Sequence, residues 1–448
     1  MDPITLGIIG LAIALLLIAL GVEIAYALGG VAVVGIFILF AFPETGDPRG
    51  ALAVTPTLSL VNSTLFSMFH SYSLSAIPMF IALGNVCYRA GMTTEIYGAA
   101  RMWLNRVPGG LAVASLLGCG GFSAISGSSL ACAATMGRVC VPEMLKYGYS
   151  DRMATGAIAA GGTLGALIPP SIALILYGIF AEQSISLLFV AAVIPGLLTL
   201  VGYIMVVVIW AMINPKDVGV STERFTWDET IRATLATWPV VLIFAMIFGG
   251  IYGGIFTSTE AGAASFIFAV LVSVVRRKIN WRDLILAMRE TVVQTAVIML
   301  VAAGASLFVR FVALSGMADG LAIFVQDANF SPFMLITVII IIYLLMGMIL
   351  DPMGILLLTL PFMLPLVEVA GFNMIWFGIL VVKLIEMGLI TPPVGLNVFV
   401  LSTAINKSVP IARIFQGTTF FFLSDLVVLA IIAAFPILSL FLPMAMSG

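Results

Sequence analysis

The sequence predicts an all-α, polytopic membrane protein made of two inverted-topology repeats, each with a re-entrant helical hairpin and a proline-broken helix. Three observations carry that prediction. First, 62% of the 448 residues are hydrophobic and only 9% charged, against about 25% charged in soluble domains, and the mean hydropathy is +1.22. So few charges cannot cover a soluble globule, so the apolar excess faces lipid. Second, Lys and Arg collect in clusters at the ends of apolar runs. Third, a small-residue or acidic break followed by a double proline occurs twice, at nearly equal spacing.

Taken in order, the first apolar run, Ile4 to Val22, has about the ~20 residues a bilayer core requires. No basic region or small-residue cleavage site marks it for removal, so it is expected to remain as a transmembrane helix. The polar, aromatic stretch 55–74, which holds His70, is expected to lie at the interface. Further apolar runs lie near 24–42, 75–88, 110–137, 154–180, 187–211, 238–256, 261–275, 292–314, 333–350, 354–370, 374–405 and 417–444. The polar segment 214–236, with Trp227 and Trp238 near the boundary, reads as a cytoplasmic amphipathic arm.

Positive loops stay cytoplasmic. Arg89, Arg101 and Arg106 precede the 110–137 run, and Arg138, Lys146 and Arg152 follow it, so both of its ends are placed inside and the run becomes a re-entrant hairpin. The groups around Lys216, Arg224 and Arg232, around Arg276, Arg277, Lys278, Arg282 and Arg289, and around Lys407 and Arg413 are also placed inside. Asp319, Asp327 and Glu368 stand in loops without bases, which places both ends of 333–368 outside as a second hairpin. Only Arg49, Arg310 and Lys383 fall outside this scheme. The predicted divisions are N-terminal membrane helices (1–88), a first repeat (89–213, hairpin 110–137), an arm with scaffold helices (214–290), a second repeat (291–416, hairpin 333–368) and a C-terminal transmembrane helix (417–448).

The first hairpin centres on Phe122-Ser-Ala-Ile-Ser-Gly-Ser-Ser129, and forty-three residues after Ser126 comes Pro169 in Gly165-Ala-Leu-Ile-Pro-Pro-Ser171. The second centres on Gly347-Met-Ile-Leu-Asp-Pro-Met-Gly354, and forty-one residues after Asp351 comes Pro392 in Gly388-Leu-Ile-Thr-Pro-Pro-Val-Gly395. Inverted halves with matched breaks are how secondary transporters place a midplane site and alternate its access. The plainer reading, prolines that kink and small residues that pack, does not account for the matched spacing. Backbone carbonyls freed at a double proline, joined by Ser or Thr hydroxyls, make an uncharged cage for a hard monovalent ion such as Na+. Half-helix N-termini at the tips offer free N–H groups to an anion. Ser123, Ser126, Ser128 and Ser129 are candidate ligands, each equally able to bond its own backbone.

The charges left in apolar runs have two readings each. Arg310 can clasp a substrate carboxylate through two parallel hydrogen bonds, or snorkel to the interface or pair with Asp351. Asp351 can ligate a cation or cap the following half-helix. Lys383 and Glu386, three apart, fit an intrahelical ion pair, with proton coupling as the sharper alternative. Thr257 and Glu260 match a capping box, which leaves Ser258 free to face substrate. Cys87, Cys119, Cys132 and Cys140 lack metal or disulfide spacing and read as small buried hydrophobes.

Several functions are excluded. A net charge of −2 gives no basic footprint for nucleic acid. The single His70 supplies neither a histidine-based metal site nor a Ser-His-Asp triad. No phosphate-binding loop is present, so energy comes from an ion gradient or another subunit.

The motifs Phe122 to Ala131, Ile168-Pro-Pro-Ser171, Gly249 to Ala261, Leu350-Asp-Pro-Met353, Trp376-Phe-Gly378 and Gly388 to Asn397 run in order from end to end of the chain. Together they resemble the large membrane subunit of tripartite ATP-independent periplasmic (TRAP) transporters of the C4-dicarboxylate type. The resemblance implies an elevator-type Na+ symporter in the bacterial cytoplasmic (inner) membrane. It would take a small organic acid from a periplasmic substrate-binding protein, aided by a small four-helix membrane subunit, with Na+ as coupling ion and no other cofactor. It implies a first sodium site of Ser126 with backbone at Gly165, Ile168 and Pro169, and a second of backbone at Gly347, Gly388 and Val394 with Thr391. Ser128, Ser171, Ser258, Arg310 and Asp351 would surround the substrate. The family usually has Pro where Ser258 stands. A stand-alone sodium/carboxylate symporter is the alternative, a passive channel a weaker one, and an intramembrane enzyme lacks a catalytic cluster.

Overall fold

The computed structural model describes residues 2–43, 50–105, 107, 109–219, 225–328 and 330–447. Arg106 and Arg224 of the charge clusters, and Arg49 outside them, lie outside the described residues. Among the described residues every regular element is helical.

The chain opens with α1 (Pro3–Ala19), α2 (Ile24–Ala41) and α3 (Gly50–Phe69). Helix α1 begins where Asp2 accepts the Thr5 amide at 3.0 Å and Pro3 presets the first turn. It ends at Ala19, shorter than the run read from sequence. Where the stretch 55–74 is expected at the interface, Gly50–Phe69 forms a continuous 20-residue helix that is long and apolar enough to cross a membrane. Its hydroxyls are absorbed locally, with Thr57 donating to the Ala53 carbonyl at 2.8 Å and Ser67 to that of Thr64 at 2.9 Å. His70 follows the helix, exposed and stacked on Phe66.

Next come α4 (Ala76–Arg89), α5 (Met92–Leu104), α6 (Gly110–Ser126), α7 (Ser129–Lys146), α8 (Asp151–Gly162), α9 (Leu164–Leu167), α10 (Ile172–Phe180) and α11 (Ile185–Ile213). The arm is α12 (Trp227–Ala236), bent by 42° into α13 (Trp238–Tyr252). It rests on α5, with Trp103 edge-on to Trp227 and donating to Thr234 at 2.8 Å. Helix α14 (Ser258–Val275) starts with the expected capping box, Thr257 and Glu260 satisfying each other's amides at 2.8 and 3.3 Å. The remainder is α15 (Trp281–Leu314), α16 (Met317–Asp327), α17 (Pro332–Gly347), α18 (Pro352–Val369), α19 (Met374–Gly388), α20 (Leu396–Ala404), α21 (Ile411–Ala434) and α22 (Ile437–Ser447).

Among the described residues, eight helical segments are long and apolar enough to cross a membrane, or nine if α12 and α13 count as one span. The segment Asp151–Phe180 is the interior one: 83% of its apolar window is buried, against 22% for α3.

The chain divides into two compact units. The first comprises Met1–Ser75, Val293–Ile341 and Met353–Met374. There α2 packs on α1 and α3, the Phe311 ring sits against Gly10 and Gly35, and Phe308 meets Phe362 edge to face at 6.3 Å. The second comprises Ala76–Val292, Ile342–Pro352 and Ile375–Gly448. In it α8 packs along α21, α7 lies against α8 and α20, and α11 lines α21 and α22. The four cysteines are buried and free in this unit.

Candidate functional site

The order helix, short tip, helix, broken helix occurs twice, as α6–α7 with α9–α10 and as α17–α18 with α19–α20. Both tips and both breaks belong to the second unit.

At the first tip, α6 ends at Ser126 and Gly127 turns the chain at φ +60°, a left-handed conformation that glycine adopts freely. Ser128 then caps α7, accepting the Ala131 amide at 3.4 Å. The tip is pressed onto its proline break. A Cβ on Gly165 would stand 2.6 Å from the Ser128 carbonyl carbon, and one on Gly127 2.7 Å from the Pro170 oxygen. The Ile172 amide donates to the Gly127 carbonyl at 3.4 Å. Between α9 and α10, Ile168 is extended, Pro169 and Pro170 supply no amide donors, and Ser171 caps α10 by accepting the Leu174 amide at 3.2 Å. The Ser126 Oγ is buried and has no hydrogen-bond partner among the described residues.

The second tip and break meet in the same way. Gly347, the last residue of α17, lies against Gly388, the last of α19: a Cβ on Gly388 would be 2.4 Å from the Gly347 carbonyl carbon. The Val394 amide donates to the Met348 carbonyl at 3.2 Å. Thr391 sits in the break and donates its hydroxyl to the Met387 carbonyl at 2.6 Å, which leaves its oxygen lone pairs pointing away from that bond. Asp351 is half-buried and immediately precedes α18, at the N-cap position.

Members of each implied sodium set stand at or beside these two tip-and-break contacts. Ser126 and Gly165 lie at one tip-and-break contact with Ile168 and Pro169, and Gly347, Gly388, Thr391 and Val394 at the other. Of the implied substrate residues, Ser128, Ser171 and Ser258 each stand at a helix start in the second unit, Ser258 being buried as the first residue of α14. Arg310 belongs to the first unit, four residues before the end of α15. Its side chain is exposed and makes no hydrogen bond or ion pair among the described residues.

The expected Lys383–Glu386 ion pair is not formed. Lys383 turns to Asp425 of α21, with which it makes a fully buried salt bridge, and donates to Thr199 of α11 at 3.2 Å. Asp425 also accepts the Tyr203 hydroxyl at 2.7 Å. Within a dry interior a carboxylate that takes several hydrogen bonds from a neighbouring helix outcompetes a partner on the lysine's own helix. Sequence reading missed Asp425, which sits in the apolar run 417–444. A lone acid in such a run was the available signal. It also assigned no role to Asn397, whose side chain donates to the Ala159 carbonyl at 3.2 Å and so ties the start of α20 to α8.

Paired tips and proline breaks among apolar helices are the arrangement that secondary transporters use to place a site at mid-membrane. The family model described as "Tripartite ATP-independent periplasmic transporter, DctM component" matches residues 11–438, and the chain belongs to that family. It is a multi-pass protein of the inner membrane. It is similar to the C4-dicarboxylate TRAP transporter large permease protein of Pseudomonas aeruginosa, 32% identical over 85% of this chain and 88% of that one. The ectoine large permease of Halomonas elongata is 32% identical over 95% and 96%, and the sialic acid large permease of Vibrio cholerae 30% identical over 83% and 86%. Among solved structures, the Alcanivorax borkumensis YdaH transporter shares the fold, with a TM-score of 0.65 at 13% identity, covering 99% of each chain.

Proposed function

We propose that this chain is the translocating subunit of a Na+-coupled secondary transporter for a small organic acid. The acid arrives from a periplasmic substrate-binding protein, and a small four-helix membrane subunit completes the assembly. The observation that carries the reading is the repeated contact of a hairpin tip with a proline break, together with the buried, unpaired Ser126 Oγ. Backbone carbonyls at a break that lacks proline amides, joined by a free hydroxyl, would form a neutral oxygen cage, which suits a hard monovalent cation. Ser126, Gly165, Ile168 and Pro169 would hold one Na+, and Gly347, Gly388, Thr391 and Val394 a second.

The substrate class follows from the helix starts and from Arg310. The N-termini of α7 and α10, capped by Ser128 and Ser171, present amide donors to an anion. Arg310, exposed and unpaired among the described residues, would take a carboxylate bidentately. Relatives named for C4-dicarboxylates and sialic acid fit that chemistry. Re-entrant hairpins 110–137 and 333–368 moving as an elevator would expose the sites to each side in turn.

The test is uptake into proteoliposomes that hold the chain with its small membrane subunit. A panel of labelled organic acids is offered under an inward Na+ gradient, with and without the binding protein. Uptake that requires both Na+ and the binding protein supports the proposal. Sodium-driven uptake without the binding protein would replace it with a stand-alone symporter, and gradient-independent flux would replace it with a channel.

A further inference from the structure

A third group of unpaired oxygens lies in the second unit, and neither implied sodium set uses it. Glu386, near the end of α19, is 3% exposed and its Oε2 has no hydrogen-bond partner among the described residues. Ser129, the first residue of α7, stands within reach of its carboxylate and is 5% exposed, and its Oγ makes no hydrogen bond of ordinary geometry among the described residues. Asn397 of α20 is fully buried, and with its Nδ2 engaged by Ala159 its Oδ1 has no partner. Ser129 and Asn397 flank Gly162 at the end of α8, where a Cβ would stand 3.2 Å from the Ser129 carbonyl oxygen and 3.0 Å from Asn397 Nδ2. Four helix ends thus bring three orphan oxygens into one neighbourhood.

The charge there does not balance. The ionisable groups around Glu386 are Lys383 on its own helix, Asp425 from α21 and Tyr203 from α11. Lys383 is already committed to Asp425. With Glu386 ionised, one ammonium against two carboxylates leaves a net charge of −1 among buried side chains. An unpaired buried carboxylate costs several kcal/mol unless a counter-charge reaches it. A single positive charge restores neutrality, whereas a divalent ion would overshoot, and the described residues contain no group of three His, Cys, Asp or Glu side chains that could hold one.

We propose that Glu386, Ser129 and Asn397 form a further binding site for Na+, distinct from the two cages at the proline breaks in using a carboxylate. The cation would accept one oxygen from each side chain and cancel the excess charge. Its position at the start of α7 and between the ends of α8, α19 and α20 would make its occupancy a condition for holding the two broken helices together.

The inference rests on the Na+-coupled reading and is tested by a measurement that separates the two. Equilibrium binding of radiolabelled Na+ is counted on the purified full chain with its small membrane subunit, in wild type, Glu386→Gln and Ser129→Ala. The expected result is one equivalent fewer in Glu386→Gln at saturation, with Ser129→Ala showing at least a tenfold weaker affinity for that equivalent. Ser129→Ala removes a single hydroxyl that makes no hydrogen bond of ordinary geometry, so it is expected to retain the fold and keeps the test open if Glu386→Gln does not fold. A wild type that binds Na+ while either folded variant matches it in number and affinity would overturn this site alone. A wild type that binds no Na+ would overturn the transport reading with it. A vibrational band of a protonated carboxyl, present in wild type with saturating Na+ and lost in Glu386→Gln, would overturn the site in favour of a proton.

Discussion

Asp425 and Arg310 are the two residues whose chemistry is most exposed to test. Asp425 holds Lys383 in a buried pair and also receives Tyr203. Asp425→Asn would strand an ammonium in the interior, at a cost of about 3–5 kcal/mol. Thermal unfolding in detergent should show a large fall in midpoint, partly restored by replacing Lys383 with Met as well. A melting curve indistinguishable from wild type would mean the pair is not formed. Arg310 has no partner among the described residues, so Arg310→Lys should leave stability unchanged. Uptake should nevertheless fall by roughly tenfold or more, since a point ammonium cannot reproduce a bidentate fork and hydrogen bonds to charged groups are worth about 1.5–3 kcal/mol. Near-normal uptake would remove Arg310 from substrate recognition.

At the scale of elements, close backbone contact decides the packing. Helices α8 and α21 cross at Gly156 and Gly417, where a Cβ on Gly417 would stand 2.1 Å from the Arg152 oxygen and one on Gly156 2.5 Å from the Gly417 carbonyl carbon. Gly417→Val should therefore destabilise the second unit by about 1–3 kcal/mol through overpacking, read as a lowered melting midpoint. An unchanged midpoint would show that the helices can part at no cost. The tips and breaks were legible in the sequence because Gly and double proline act locally: they remove donors and permit close approach whatever the surroundings. The Thr257–Glu260 capping box was legible for the same reason. Lys383 was not, because its choice between Glu386 one turn away and Asp425 forty-two residues on depends on which helix packs beside it. Nor was α3, whose Ser and Thr residues lower its hydropathy while their hydroxyls return to its own backbone.

For the whole molecule, composition and charge clustering gave a polytopic helical membrane protein, and the family match over residues 11–438 agrees. Functional residues beyond the motifs were illegible where they depend on contacts between distant segments, as with Asn397 and Ala159. What joins the scales is the claim that the matched breaks bind the coupling ion. The direct measurement is the Na+ activation curve of uptake, in proteoliposomes with the small subunit and binding protein present, for wild type, Ser126→Ala and Thr391→Ala. Each substitution should raise half-saturating Na+ by about tenfold, in the range that altering a metal's ligand environment produces, while the protein remains folded. Activation curves that superimpose on wild type in both variants would contradict the account.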